Sequence, residues 1–382
     1  MSKLFSPIEL RGLRLRNRIV VSPMLMYRAE GGHTNDWHVM NLGQFAAAGV
    51  GLVMMESTKV DPDGCSTLRD AAIWDDAYVP GLRRIVDHVH SLGTPIGVQL
   101  GHSGRKAGMV LPWEGRGVLD LDHTPNPAGG PWQLVGPSAI PHSDAYKTPH
   151  ALSVAEIGAM IDTWVAAARR ALAAGFDVIE LHLAHGYLGH QFLSPHANRR
   201  GDGYGGSLQN RMRFALELAE AVRAVWPADR PLFARLSCVD GMGWTIEDSI
   251  ALSRALAARG VDIVDCSTGG MAVRGENLRP GYGYQTPFAA AIRAQAGAAT
   301  MAVGMIVNPR QAEAIIATGK ADLVALGREL LHNPHWAYHA AQQLGVPDPE
   351  SLLPPSYAYW LDKRGRQGLG DYPGVAADPV LS

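Results

Sequence analysis

The chain has 382 residues, enough for two or three average domains or for one large α/β barrel. Its 34 basic and 36 acidic side chains give a formal charge of −2, so charge provides no basis for binding nucleic acid or an anionic membrane. Hydrophobic residues make up 47% and charged residues 18%, a composition that excludes a disordered chain and allows a large core.

The N-terminus and the cysteines bear on location. The opening residues MSKLFSPIELRG contain no apolar signal-peptide segment, and no uncharged apolar window reaches the roughly 18 residues of a membrane span. Cys65, Cys238 and Cys266 are far apart and form no CxxC pair. We therefore expect a soluble, cytoplasmic protein with three reduced thiols.

Eight short apolar runs recur along the chain. They are nearly continuous rather than alternating, which is typical of strands buried on both faces of a parallel sheet. They predict strands at residues 19–24, 50–57, 96–101, 178–183, 232–237, 263–268, 301–305 and 323–327.

Segments with apolar residues at helical spacing lie between these runs, for example residues 154–174, 208–225, 245–259 and 309–318. Several begin after Ser or Thr and end at glycine, as helices commonly do. An open doubly wound sheet usually has five or six strands, whereas eight close a barrel. The sequence therefore predicts an α/β fold, a single (β/α)8 TIM barrel.

Two segments depart from the strand–helix alternation. Residues 107–150, after the third strand, are rich in Pro, Gly, Trp and Asp, and we expect a cap or lid there, with a solvated insertion as the alternative. We assign residues 1–345 to the barrel, including this insertion. Residues 346–382 form a Pro- and aromatic-rich tail that we expect to pack at a dimer interface.

Polar residues follow the predicted strands where each strand ends. The carboxyl ends of barrel strands meet at one face, so these residues should share one site. They include residues 22–27, Glu56, Ser57, Gln99, His102, residues 182–187, Gly327 and Arg328, and the fifth strand itself carries Arg235.

His182 and His185 have three possible roles. They could bind a metal, lie in the core with satisfied hydrogen bonds, or donate N–H groups to a substrate oxygen. A catalytic zinc needs three protein ligands, and the chain has no HExxH motif, so we favour oxygen binding and expect no metal. Tyr187, two residues on, carries a phenol that can give a proton to a carbanion-like centre.

The last two strands end in Ala-Val-Gly and Leu-Gly-Arg. Barrels often bind phosphate at this position through backbone N–H groups, here near Gly304 and Gly327. Arg328 could add a charge-assisted bond to the phosphate, or it could instead be a helix-start arginine paired with an acid.

Four long segments match a known family. They are LFSPIELRGLRLRNRIVVSPM near the start, QLGHSGRKA after the third strand, IELHLAHGYLGHQFLSPHANRRGDGYGGSLQNRMRF at the fourth, and DLVALGRELLHNPHWAYHAAQQLG at the last. With them the chain resembles, from about residue 4 to about residue 360, the old yellow enzyme family of FMN-dependent ene-reductases, especially its bacterial, thermophilic-like branch.

The resemblance implies that FMN lies across the top of the barrel. The positions that it assigns to the flavin are Ser22, Pro23, Met24 and Leu25 along one border, Ser57 and Gln99 at the pyrimidine edge, Arg235 beside N1 and C2=O, and Gly304, Gly327 and Arg328 around the phosphate.

The resemblance also implies a reaction. NADPH or NADH reduces FMN, and an activated alkene then receives a hydride at its β-carbon and a proton at its α-carbon. The positions assigned to the substrate are His182 and His185 for its carbonyl, Tyr187 as proton donor and Tyr27 in the pocket wall. Trp360 matches a tail residue that enters the neighbouring subunit's site, so the resemblance implies a homodimer.

Leu25 departs from the family pattern, because the branch usually has Cys there. Leucine cannot hydrogen-bond to the flavin, so we expect a lower flavin potential that favours the reverse, desaturating direction. Leu25 therefore favours a flavin-dependent desaturase as one alternative. A nitro-compound reductase on the same scaffold is another. From other classes, a metal-dependent hydrolase or lyase using His182 and His185, or a non-catalytic flavin-binding protein, would also fit parts of the pattern.

Overall fold

A computed structural model describes residues 2–115, 117–272 and 280–367. Eight parallel strands close a barrel in which each strand pairs with its neighbours in chain order. All residues of these strands are buried, as expected for a sheet covered on both faces. The strands, here β1 to β8, are Ile19–Val21, Leu52–Lys59, Ile96–Gly101, Val178–Leu183, Leu232–Ser237, Ile263–Ser267, Thr300–Val303 and Leu323–Leu326.

The predicted TIM barrel is thus confirmed, but four predicted strands were too long at their carboxyl ends. Residues 22–24, 268, 304–305 and 327 leave the ladder at the mouth of the barrel. Strand β2 instead runs two residues further than predicted, to Lys59, past a β-bulge between Met55 and Ser57. The chain must leave the sheet at the mouth in order to form loops, and an apolar run does not mark that point.

Helices surround the barrel. In chain order, α1 to α11 are Asp36–Ala47, Val79–Ser91, Val154–Ala174, Leu188–Leu193, Leu208–Val225, Ile246–Ala257, Thr286–Ala296, Pro309–Ala317, Arg328–His332, Trp336–Gln343 and Pro355–Arg366. Helix α3 begins with a capping box between Ser153 and Glu156 and ends at Gly175, whose φ is 99°. The predicted bounds of α3 and α5 are confirmed.

The two ends of the barrel interior differ in polarity. An N-terminal hairpin, Ile8–Leu10 paired with Leu13–Leu15, packs its leucines against inward apolar residues such as Val178, Phe233 and Ile263. Two residues further along each strand, the same inward faces carry polar side chains, because side chains alternate along a strand. The barrel is therefore closed by an apolar plug at one end and is polar towards the other.

The insertion at residues 107–150 has a small core of its own. Ala107, Leu121 and Leu134 are buried together, and Leu119 and Trp132 pack against them. A parallel pair of short strands, Val135–Gly136 and His150–Ala151, ties its end to the barrel. The insertion therefore has a small packed centre, and its function as a lid stays a prediction.

The tail is described as far as residue 367, and residues 368–382 of the predicted tail lie outside the described residues. Helix α11 buries none of its residues and exposes three large aromatic side chains, Tyr357, Tyr359 and Trp360. In the part of the chain that the structure describes, no helix combines the length and the apolar character needed to cross a membrane.

Candidate active site

A cavity of about 520 Å³ opens at the carboxyl ends of the barrel strands. Eight of the residues predicted from the sequence line it: Ser22, Pro23, Met24, His185, Arg235, Gly304, Gly327 and Arg328. Ser267, Thr268, Tyr284 and Gln285 line it as well and were not predicted. The structure thus brings together residues from strands at opposite ends of the chain.

Gly304 and Gly327 contribute to the wall formed by the loops after β7 and β8. Gly304 has a φ of 110°, and a Cβ there would lie 2.5 Å from Gln285 Nε2. Gln285 is itself held in place, since its Nε2 donates to Val303 O at 3.1 Å and its Oε1 accepts from Thr268 Oγ1 at 2.6 Å. Only glycine fits this close approach, and no local pattern in the sequence marks Gln285 as its partner.

Arg328 lies at the rim of this wall, exposed at the first position of α9. Across residues 2–115, 117–272 and 280–367, it takes part in none of the ion pairs, so the structure gives no support to pairing with an acid. An unengaged guanidinium beside open glycine backbone fits a phosphate group.

Arg235, on β5, points into the cavity from inside the barrel. Its Nη1 donates to Ser22 Oγ at 3.1 Å, and its Nε lies 3.2 Å from Asp265 Oδ2, which is an ion pair without a well-aligned hydrogen bond. Nearby, Gln99 Nε2 donates to Glu180 Oε1 at 2.7 Å. Four strands therefore contribute one polar layer directly beneath the cavity.

Glu180 and Asp265 were missed by the sequence analysis. Burial raises the pKa of both carboxyl groups. The charge of Asp265 raises the pKa of Glu180 further, whereas the positive charge of Arg235 opposes the rise in both groups. A signal did exist, since Glu180 stands two residues before His182 and therefore shares its inward face. The site fits a flat, polar cofactor whose edge meets an arginine and whose phosphate meets glycine backbone.

His182 and His185 lie side by side at the end of β4, with ring centroids 5.2 Å apart. His182 Nδ1 accepts the N–H of Ala184 at 3.2 Å, so its proton is on Nε2. His185 adopts a φ of 58°, and its Nε2 lies 2.7 Å from Ser267 Oγ. Burial lowers the pKa of both histidines well below the usual value, so both imidazoles are neutral.

The turn after this pair depends on Gly186. Its φ is 72°, and a Cβ there would lie 2.0 Å from the carbonyl oxygen of Gly270. The close approach lets the chain reverse and present Tyr187 beside His182, with ring centroids 4.9 Å apart. The predicted trio of two histidines and one tyrosine is therefore assembled in a single turn.

The Tyr187 ring is buried between polar groups. Lys59 Nζ and Lys106 Nζ lie 5.0 Å and 5.2 Å from its centroid, and Ser66 Oγ lies 3.3 Å from its phenol oxygen. Ser57, predicted at the flavin edge, accepts from Lys59 Nζ at 3.3 Å. Lys59 and Ser66 were not predicted, because both lie beyond the predicted end of the second strand at residue 57.

Tyr27 is half-buried, with a φ of 56°, and its ring meets Trp113 of the insertion edge-on at 5.9 Å. Burial raises its pKa, with smaller contributions from Tyr187 and other acidic groups. Trp113 therefore brings the insertion into contact with a predicted pocket residue.

Seven predicted residues do not line the cavity: Tyr27, Ser57, Gln99, His182 and Tyr187, described above, and Leu25 and Trp360. Leu25 is half-buried in the loop after β1, and Trp360 is 65% exposed on α11, where its ring meets Tyr359 and Lys363. Within the described ranges there is no cluster of three or more His, Cys, Asp or Glu residues that could hold a metal ion. Cys65, Cys238 and Cys266 are free and buried, as expected.

Comparisons with known proteins agree with this geometry. Residues 3–346 match the model of the NADH:flavin oxidoreductase / NADH oxidase family. A protein of Geobacillus sp. (strain WCH70) named NADPH dehydrogenase is 44% identical over 347 residues, which cover 90% of this chain and 95% of that protein. An NADPH dehydrogenase of Listeria monocytogenes serotype 4a is also 44% identical, over 349 residues, with 90% and 96% covered.

Among solved structures, morphinone reductase superposes with a TM-score of 0.75 at 28% identity, covering 94% of this chain and 93% of that one. Morphinone reductase in complex with tetrahydroNAD gives a TM-score of 0.73 at 28% identity, with 93% of each chain covered. The resemblance seen in the sequence is thus confirmed: the chain belongs to the NADH:flavin oxidoreductase / NADH oxidase family, the old yellow enzymes, and is an FMN-dependent oxidoreductase reduced by a nicotinamide nucleotide.

Proposed function

We propose that this protein is an ene-reductase, which saturates the activated C=C bond of an α,β-unsaturated carbonyl or a similar compound. The observation that carries the proposal is the grouping of His182, His185 and Tyr187 in one turn at the barrel mouth. Neutral imidazoles can donate hydrogen bonds to a carbonyl oxygen, and a phenol beside them can supply a proton.

The cofactor contacts follow the layout of the cavity. When bound, FMN supplies the hydride for the alkene and receives it from the nicotinamide nucleotide. The backbone at Gly304 and Gly327, together with Arg328, would hold the phosphate, and Arg235 would place a positive charge at the flavin ring. The residues proposed to complete the contacts with the ring are Ser22, Pro23, Met24, Leu25, Ser57 and Gln99.

The proposed substrate contacts follow from the N–H groups of the two histidines and the O–H group of Tyr187. His182 carries its proton on Nε2, so that atom donates to the substrate carbonyl, and His185 flanks it. Negative charge grows on the carbonyl oxygen when the β-carbon accepts a hydride, and fixed donors stabilise that charge. Tyr187 then gives its proton to the α-carbon. Tyr27 and Trp113 form the wall that limits access of water.

NADPH is our proposed reductant. The relatives from Geobacillus and Listeria are named NADPH dehydrogenases and share more than two fifths of their residues with this chain. The morphinone reductase complex, by contrast, contains tetrahydroNAD, and that protein is more distant at 28% identity. NADH therefore remains the second reductant to test.

We also propose that the protein is a homodimer in the cytoplasm. Helix α11 exposes Tyr357, Tyr359 and Trp360 on one short segment, and exposed aromatic groups of this kind are typical of an interface. Trp360 would then lie near the active site of the other subunit. Trp360→Ala should raise KM and alter the substrate range; an unchanged KM and range would contradict the shared site.

The cytoplasmic location is proposed from the cysteines. Three buried free thiols fit a reducing compartment.

Leu25 supports a second candidate, a flavin-dependent desaturase. An apolar side chain at this flavin-facing position provides no hydrogen-bond donor, which would lower the potential of the bound flavin. Leu25→Cys should raise the midpoint potential measured by spectroelectrochemistry. An unchanged potential would remove the only observation that favours this direction.

The two half-reactions test the function directly. The purified protein should be yellow, and anaerobic NADPH should bleach it faster than NADH does. The reduced enzyme is then mixed with enones, enals, maleimides and nitroalkenes, and the product is identified. Reoxidation with a saturated product supports the ene-reductase. Reoxidation only by nitro groups indicates a nitro-compound reductase, and bleaching by a saturated ketone indicates the desaturase.

A further inference from the structure

Lys59 is fully buried at the end of β2, and its ammonium group is fully bonded. Its Nζ lies 3.3 Å from Ser57 Oγ, 3.2 Å from Ser66 Oγ and 3.3 Å from Ser103 Oγ. A lysine ammonium has three N–H donors and no acceptor, so three hydroxyl acceptors match it one for one. The fourth neighbour, Asp70 Oδ2 at 3.5 Å, supplies the opposite charge.

Asp70 has the contacts of a carboxylate. It accepts the backbone N–H of Ser66 at 2.6 Å and the hydroxyl of Thr67 at 2.8 Å. A buried cation is stable only when it is paired and its hydrogen bonds are satisfied. Lys59 and Asp70 meet both conditions, so the pair fixes the ammonium group of Lys59 in this wall of the site.

Ser66 connects this charge to Tyr187. Its Oγ lies 2.8 Å from Ser103 Oγ and 3.3 Å from the phenol oxygen. A hydroxyl has one hydrogen and two lone pairs. If Ser66 accepts from Lys59 and from Ser103, its single hydrogen goes to the oxygen of Tyr187. The phenol then accepts at this contact, and its own hydrogen is left for a group in the pocket.

We propose that Lys59, acting through the hydroxyl of Ser66, is a positioning residue for Tyr187. The inference rests on the proposed function, which makes Tyr187 the proton donor. Lys59 and Ser66 turn the phenol hydrogen towards the substrate and stabilise the phenolate that remains after the transfer. In that step the O–H bond of Tyr187 breaks, its electron pair stays on oxygen, and a C–H bond forms at the α-carbon. Solvent water later returns the proton to the phenolate.

Other polar groups also face Tyr187, and their contacts differ from that of Ser66. Lys106 lies over the ring, and its Nζ donates to the carbonyls of His185 at 2.8 Å and Gly270 at 3.0 Å. His182 is neutral. The phenols near enough to interact electrostatically are Tyr27 and Tyr146. Lys59 differs from these groups because it is hydrogen-bonded to Ser66, and the Ser66 hydroxyl is in hydrogen-bond contact with the phenol oxygen.

A matched pair of variants isolates the hydroxyl. Ser66→Thr and Ser66→Val introduce side chains of the same shape, and only Thr keeps the O–H group. In anaerobic rapid mixing we expect Ser66→Val and Lys59→Met to slow reoxidation by an enone by roughly tenfold or more, since a positioned proton donor contributes at least that much. Ser66→Thr should stay within about threefold of the native rate, and bleaching by NADPH should change little in all three.

Charge and structure need separate controls. Lys59→Met alone leaves Asp70 buried without a partner, so the double variant Lys59→Met/Asp70→Asn tests loss of the cation in a neutral cluster. Thr67→Val removes a hydrogen bond to Asp70 while keeping Lys59 and Ser66. It should reoxidise like the native enzyme. A loss in Thr67→Val equal to that in Ser66→Val would mean that the cluster is merely structural.

A spectroscopic readout tests the same inference without turnover. In FMN-free protein, the phenolate of Tyr187 is followed by ultraviolet absorbance, with Tyr187→Phe subtracted to isolate it. The phenolate should appear at higher pH in Lys59→Met/Asp70→Asn and in Ser66→Val than in Ser66→Thr. Identical titrations together with native reoxidation rates would overturn the inference. If no enone reoxidises the native enzyme, the proposed function fails, and the titration still decides whether Lys59 acts on Tyr187.

Discussion

Two buried cations lie beneath the mouth of the barrel, and their environments differ. Arg235 faces the cavity, donates to Ser22, and meets Asp265 without a well-aligned hydrogen bond. Lys59 has an acceptor for each of its three donors and a carboxylate close by. Arg235 is therefore incompletely compensated by protein groups, whereas Lys59 is compensated almost entirely within the chain.

The difference indicates what each charge can do. A guanidinium with unmet hydrogen-bonding capacity at a cavity wall is suited to a ligand that supplies the missing acceptor. An ammonium saturated by serine hydroxyls acts on its neighbours instead, through the orientation of those hydroxyls. We therefore propose that Arg235 serves the cofactor side of the site and that Lys59 serves Tyr187 on the substrate side.

The largest expected effect tests the substrate side. Tyr187→Phe removes the proposed proton donor but leaves the cavity lining unchanged, so reoxidation by an enone should fall by roughly a hundredfold, within the range for a lost general acid. FMN content and bleaching by NADPH should stay near native values. Rapid mixing measures both half-reactions, and a native reoxidation rate would show that another group gives the proton.

Arg235→Met tests the cofactor side. It removes the cation that faces the cavity and leaves Asp265 buried without a partner, so FMN affinity should fall by roughly tenfold to a hundredfold. Fluorescence titration of the FMN-free protein measures the change. Lys59→Met/Asp70→Asn is the matched control and should bind FMN like the native protein. Equal losses in both variants would erase the distinction between the two cations.

Arg328→Ala should have a smaller effect on the same side, because this arginine is exposed and solvent screens its charge. We expect FMN to bind roughly tenfold more weakly and riboflavin, which has no phosphate, to bind unchanged. Isothermal titration with both ligands measures this. A parallel loss for riboflavin would mean that Arg328 does not act on the phosphate.

Glu56 provides a third case, a buried carboxyl whose oxygens meet the N–H of Met26 at 3.0 Å and His38 Nε2 at 3.6 Å. Burial raises its pKa from 4.5 to about 8. The unfolded chain therefore loses this proton before the folded one does, and the stability from Glu56 declines as pH rises from about 4.5 to about 8.

Glu56→Gln keeps the shape of the side chain and removes the titration. The melting temperature of the native protein should fall by a few degrees more than that of the variant between pH 5 and pH 8, the direction given by linkage. Calorimetry across that range measures the difference. Parallel curves would show that Glu56 is not held as the neutral acid.

Residues at strand ends could be predicted because the geometry of a barrel gathers them. Ser22, Gly304, Gly327 and Arg328 stand near the ends of apolar runs and Arg235 is the charged residue within one, and the structure places all of them on one cavity. Each needed only its own strand to be identified. The capping signals of α3 were likewise local, and that helix was predicted with its observed bounds.

The networks beneath the cavity were not predictable in this way. Glu180 on β4 and Asp265 on β6 are brought together because both strands pair with β5, and Gln285 is brought against Gly304 by a loop. Each partner is an ordinary residue within its own segment. Their significance comes from a neighbour that is distant in the chain, and burial then shifts their pKa values.

The sequence by itself determined the barrel, the face on which its polar residues gather and, through long motifs, the family. Periodicity, caps and strand ends are local properties, so one chain segment suffices to express each of them. Tertiary structure alone decided that Lys59 meets Ser103 and Asp70, and that Ser66 reaches Tyr187. Hydrogen bonds act over about 3 Å, and only the folded chain determines which donors and acceptors come that close.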